Sequence, residues 1–274
     1  MRLSVLDTGH RLRARLFLAA TGRGDPPDIV RTLLYRPEFF ARPLLEITAP
    51  AMRGRSAWTA GEREYLALTT AQRHRCPFCV DSHRELTRIA GLTEPVRPEV
   101  RAVRAFLDAV RSGEETRVDL PEPAVRDALH VDLVWNVVNR IANAFGFVLR
   151  GDQVHTGTRA LHRFGYRFPA FLLAGGGRTG HRDPVANLRH AVFEAPAVTP
   201  PGTRLAAGTD GPLAEPWRAY AALVRDASYR ITDADLTALP GSEDEIFELT
   251  AAAAVGAALT SYETGLRALD LSRG

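Results

Sequence analysis

The stretch TAGEREYLALTTAQRHRCPFCVDSH, residues 59–83, decides the fold class. Thr59 and Glu62 have the spacing of a capping box, which predicts a helix over residues 60–74. Tyr65, Leu66, Leu68 and Thr69 supply its expected buried stripe. Pro77 suits the first turn of a following helix, where its missing N–H costs nothing, and Gly91 suits that helix's stop. Two helices joined this tightly make a hairpin. The two cysteines of the chain, Cys76 and Cys79, fall at the start of the second helix, and His83 lies one turn beyond Cys79. Residues three and four apart are neighbours on a helix surface, so all three share one face. A hairpin also brings Glu64 of the first helix alongside His83.

Outward from this stretch the pattern stays helical. Pro98 opens a helix over 99–112 that Gly113 closes. Leu129, Leu133, Val137, Ile141 and Phe145 recur at helical spacing through 123–149, with Gly151 as the expected end. Residues 151–212 are rich in Gly and Pro and read as loops with short helical pieces, chiefly 183–193. The segment GGGRTG, 175–180, is no phosphate loop, because it lacks the lysine and no strand pattern precedes it. Helices resume over 215–228, 233–239 and 243–269, the last with a capping box of Ser242 and Glu245. No stretch alternates with a period of two. The class is all-α, in three parts: a catalytic helical bundle over 1–150, a loop-rich connection over 151–212, and a C-terminal helical half over 213–274 packed on the first. Residues 65–71, YLALTTA, echo 246–252, IFELTAA, which raises the prospect of a degenerate second half with Ala257, Thr260 and Thr264 where the first has Cys76, Cys79 and His83.

Composition narrows the function. Two cysteines in 274 residues cannot staple the fold, so a local CxxC points to redox or metal chemistry. The net charge of +3 comes from arginine alone, scattered among Asp and Glu, which argues against a nucleic-acid surface. Arg11 to Arg15 precede only five apolar residues, 16–20, too few for a secretory core, and no run is long enough to span a bilayer. A cytoplasmic protein without membrane partners is expected. No cofactor motif is present.

The residue set suits thiol chemistry. A free thiol with a pKa near 8.5 is mostly protonated at neutral pH and is a weak nucleophile until ionised. A helix N-terminus favours the thiolate, an imidazole can take its proton, and a carboxylate fixes the imidazole's tautomer. A second cysteine traps the oxidised first as a disulfide. The arrangement of Glu64, Cys76, Cys79 and His83 resembles the signature of the carboxymuconolactone decarboxylase superfamily in its alkylhydroperoxidase D-like branch. The phrases EREYLAL, 62–68, and VVNRIAN, 137–143, are similar to peroxidase-related members, and the likeness spans roughly 29–149. The resemblance implies an alkylhydroperoxidase D-like all-helical bundle, a homo-oligomer, and a cofactor-free peroxidase. It makes Cys79 the peroxide-attacking thiol, Cys76 the resolving thiol, and Glu64 with His83 the proton relay. The partners it implies are a hydrogen or organic peroxide and a lipoyl- or thioredoxin-type dithiol. This chain departs from the pattern at Phe78, where members of the branch can carry histidine. Helix-dipole reasoning alone favours Cys76 as the more acidic thiol.

Other readings stand beside this one. His74, Cys76, Cys79 and His83 are ligand types for structural zinc, although they crowd into ten residues where zinc sites gather ligands from separate segments. The cysteines can also be inert core residues. A lactone decarboxylase-type enzyme on the same fold needs no cysteine pair, and a non-catalytic redox switch needs no turnover. Asn136 and Asn139 sit on the apolar 123–149 helix, where lining a pocket competes with being hydrogen-bonded core amides. Trp135, Phe145 and Phe147 read as core.

Overall fold

The computed structural model describes residues 1–21, 25–92, 95–114, 116–175 and 181–271. Residues 176–180 of the glycine-rich segment lie outside them. Among the described residues there are helices and no strands. In order they are α1 Val5–Thr8, α2 Leu12–Thr21, α3 Asp28–Leu34, α4 Ala41–Arg53, α5 Ala60–Arg73, α6 Pro77–Ile89, α7 Pro98–Ser112 and α8 Glu122–Phe145. They continue as α9 Gln153–Phe164, α10 Ala170–Leu173, α11 Pro184–Phe193, α12 Pro201–Thr209, α13 Trp217–Ala227, α14 Asp233–Thr237 and α15 Glu243–Leu271.

Helix α8 is the axis of the bundle. Almost its whole length is buried, with α4 and α5 along it and α15 packed beside it. Trp58, just before α5, donates its indole N–H to the carbonyl of Ala124 at 2.7 Å and ties the hairpin to the start of α8. On the α15 side, Phe247 gathers Tyr35, Phe40 and Phe145 with ring centroids 4.9 to 5.9 Å apart. Helix α12 crosses α15 where Gly208 meets Gly256. A Cβ at Gly256 would sit 2.2 Å from the carbonyl oxygen of Gly208, so only glycine permits this approach.

Both capping boxes form: Thr59 with Glu62, and Ser242 with Glu245. Helix α7 ends at Gly113 as its sequence indicates. Three details differ from the sequence reading. Helix α8 stops at Gly146, φ 66°, rather than at Gly151; Phe147 donates back to Ala142 at 2.9 Å and closes the end. Tyr65 and Leu68 are only half-buried, and the inner face of α5 carries Glu64, Leu66, Ala67, Thr70 and Ala71 instead. Residues 151–212, which read as loops with short helical pieces, hold four helices among the described residues, α9 to α12, the piece at 183–193 being α11. Helix α15 runs unbroken through 254–258, whereas after α5 the chain turns back into α6. Among the described residues no helix is long and apolar enough to cross a membrane.

Candidate active site

The α5–α6 turn builds the site. After His74, Arg75 takes the left-handed conformation, φ 50°, and Cys76 donates its N–H back to Ala71 at 3.1 Å. This is a helix stop usually made by glycine, and a side chain there costs roughly 1 kcal/mol. The Arg75 guanidinium lies over the Tyr229 ring, 4.6 Å from its centre. The chain leaves the turn extended through Cys76, the N-cap of α6, with Pro77 in the first turn. Cys79 therefore sits in the first turn of α6 and His83 in the second. Both thiols are free, and both are buried, 1% and 2% exposed.

The structure brings Glu64 and His83 together. Nδ1 of His83 lies 2.9 Å from Oε2 of Glu64, and Glu64 is wholly buried. Two more side chains complete the carboxylate's surroundings. Arg53, at the end of α4, donates to Oε1 at 2.6 Å. Tyr166, just past α9, donates its hydroxyl to both oxygens at 2.9 and 3.0 Å. Burial pushes the Glu64 carboxyl up, but the hydrogen bond and charge of His83 and the Arg53 guanidinium outweigh it and hold the group below its usual range. An ionised Glu64 accepts from Nδ1–H, so in neutral His83 the basic nitrogen is Nε2. Trp135 of α8 packs edge-on against the His83 ring, 4.0 Å between centres. Burial and the adjacent Glu64 charge push the Tyr166 phenol well above its ordinary value, so it stays a donor.

The sulfurs are in a different state. Burial pushes the Cys79 thiol well up, and its hydrogen bond with Cys76 and the charge of that neighbour add to the rise. Burial thus overrides the helix N-terminus, and Cys79 rests as a thiol. Among the described residues no hydrogen bond joins His83 to either sulfur. Phe78 packs on Phe147, 5.4 Å between ring centres, and covers the start of α6.

The zinc donors are not gathered. Nε2 of His74 faces Oδ1 of Asn136 at 2.7 Å and Nη1 of Arg140 at 3.3 Å, while His83 is committed to Glu64. Burial, then Arg140 and Arg111, push His74 well below its ordinary value. Among the described residues no three His, Cys, Asp or Glu side chains group as a ligand set.

Arg53 and Tyr166 were not legible as site residues, and the only hint was the glycine stop Gly165 before Tyr166, itself at φ 63°. The far side of Tyr166 borders a cavity of about 690 Å³ whose wall includes Leu45, Ala49, Phe168, Phe171 and Arg42.

With this geometry in view the comparisons can be placed. Residues 39–113 match the family model of the carboxymuconolactone decarboxylase family. That segment spans α4, α5, the CxxC turn, α6 and α7. No curated protein and no solved structure matches the chain.

Proposed function

We propose that this chain, whose residues 39–113 match the carboxymuconolactone decarboxylase family model, is a thiol-dependent peroxidase of the alkylhydroperoxidase D-like branch. The observation that carries the reading is the buried Glu64–His83 pair one helical turn from a reduced Cys76–Cys79 pair. In the first step the Cys79 proton passes to Nε2 of His83, by a small side-chain approach or through a bridging water. The thiolate attacks the terminal oxygen of the hydroperoxide. The S–O bond forms as the O–O bond breaks, Cys79 becomes a sulfenic acid, and the leaving alkoxide takes the proton back from His83. In the second step the Cys76 thiol displaces the sulfenic hydroxyl as water and closes the disulfide. An external dithiol protein, lipoyl- or thioredoxin-type, then reduces that disulfide and is itself oxidised.

The environment explains why the relay is needed. Each pKa unit above neutrality cuts the resting thiolate fraction about tenfold, so a Cys79 held up by burial depends on a base at the moment of reaction. Glu64, kept ionised by Arg53 and His83, stabilises the imidazolium that forms. Both sulfurs are buried, so reduction by a protein partner requires the packing over the CxxC turn to open. A decarboxylase-type reaction gives two adjacent thiols no part.

The test is peroxide consumption with a panel of dithiol donors, on wild type and Cys79→Ser. Turnover in the first and none in the second is expected. Equal consumption by both proteins, or none by either, overturns the reading.

A further inference from the structure

Helix α8 carries a buried amide that the reaction above does not use. Asn139 is 0% exposed. Its Nδ2 donates to the carbonyl of Trp135 at 2.6 Å, which fixes the orientation of the amide, because a carbonyl can accept only from nitrogen. Among the described residues its Oδ1 has no hydrogen-bond partner. An acceptor left unpaired in a dry interior is costly, so it marks a place where a donor is expected.

Contacts on either side bracket that side chain. His83, one turn after Cys79 on α6, meets Trp135 of α8. At the other edge of the CxxC turn, Asn136 and Asn143 of α8 bond the side chain and carbonyl of His74. Asn139 lies one turn from both Trp135 and Asn143 on the helix face, so α8 presents it between the contacts that flank the two cysteines.

Resting on the peroxidase reading, we infer that Oδ1 of Asn139 receives the O–H of the hydroperoxide at Cys79. The attacked oxygen is the one that bears this hydrogen. It keeps the hydrogen when it becomes the sulfenic hydroxyl, so one acceptor holds the same O–H before and after the oxygen transfer. The substrate class follows: a hydroperoxide, with a free O–H on the terminal oxygen, and not a disulfide or another oxidant lacking that donor.

The experiment compares two reagents on one thiol. In a Cys76→Ser background, Cys79 is oxidised by hydrogen peroxide and, separately, alkylated by iodoacetamide, which offers no O–H. Asn139→Leu, which fills the same volume, and Asn139→Ala are measured by rate and checked for helicity and melting temperature. The expected result is peroxide oxidation slowed by about tenfold or more, as for loss of one buried hydrogen bond, with alkylation within about twofold. Equal slowing of both reactions makes Asn139 a support of the thiol and overturns the inference. So does a rate unchanged in both. If Cys79 of the parent is alkylated but never oxidised by peroxide, the peroxidase reading itself falls and the inference with it.

Discussion

Among the described residues two glutamates are wholly buried, Glu64 on α5 and Glu248 on α15, and their surroundings differ in one respect. Glu248 accepts from the backbone N–H groups of Val198 and Thr199 at 2.8 and 2.7 Å, from the Thr199 hydroxyl, and from Arg36 at 2.5 Å. None of these donors changes protonation near neutral pH. Glu248 is a clamp that pins the lead-in to α12 onto α15. Glu64 also has an arginine and a hydroxyl, but its remaining partner is an imidazole. Burial pushes both carboxyls up, and both end below their ordinary value because their partners outweigh it. Under the proposed relay, what separates Glu64 from a structural carboxylate is thus not burial or pKa direction. It is whether a partner can gain and lose a proton in the working range.

The largest effect should divide the two sites by rate. Glu64→Gln is expected to slow the first oxidation of Cys79 by roughly 10²- to 10⁴-fold, the worth of general-base assistance. Glu248→Gln should leave that rate within about twofold. Rapid-mixing kinetics with hydrogen peroxide reads both. A comparable loss from the two substitutions would erase the distinction, because it would make the effect one of global packing.

A stability measurement divides them in the other direction. Glu248→Ala leaves Arg36 and three further donors facing a buried gap and should cost about 3–5 kcal/mol, as removing one partner of a buried ion pair does. The dependence on pH follows from the direction of the shifts. A carboxyl held below its ordinary 4.5 contributes stability that is complete above that value and is lost as pH falls through the lower folded value. Urea unfolding between pH 7 and pH 3 should therefore show wild type weakening on the acid side. Glu248→Gln, less stable at pH 7, should show a shallower slope there. Parallel slopes would mean that Glu248 is not ionised in the folded protein.

How much of this was readable in advance depends on sequence distance. The hairpin, its cap, and the pairing of Glu64 with His83 follow from features within one short segment: a capping box, a proline at a helix start, and spacings of three and four. Arg53 and Tyr166 reach Glu64 from other elements, Tyr166 from 102 residues away, and only the Gly165 helix stop stands beside either of them. Residues 151–212 carry more helix than their Gly and Pro content suggests, for a related reason. Pro184 and Pro201 are first-turn prolines and Gly165 is a helix stop, so the residues taken as loop signals were the punctuation of short helices. The end of α8 was set too late because Val148 and Leu149 prolong the apolar run. After Gly146, however, the Val148 N–H turns to the buried Asp28 at 3.0 Å. The fate of Asn139 was open in the sequence, since a buried amide is satisfied or not only in three dimensions.

The smallest expected effect tests how finely Glu64 is tuned. Tyr166→Phe removes one neutral donor shared by the two carboxylate oxygens and keeps the ring against Trp135, 5.8 Å between centres. Arg53 and His83 remain, and they are the larger influences that hold Glu64 ionised. Loss of the hydroxyl should lower stability by about 1 kcal/mol. On rate, two small effects oppose each other. Glu64 becomes a slightly stronger acceptor for the Nδ1–H of His83, while the carboxylate itself is held less firmly. The net change in Cys79 oxidation should stay within about fivefold, far less than for Glu64→Gln. A loss as large as that of Glu64→Gln would give Tyr166 a different part. Its hydroxyl would then be moving a proton itself, and the relay would begin at the wall of the neighbouring cavity rather than at Glu64.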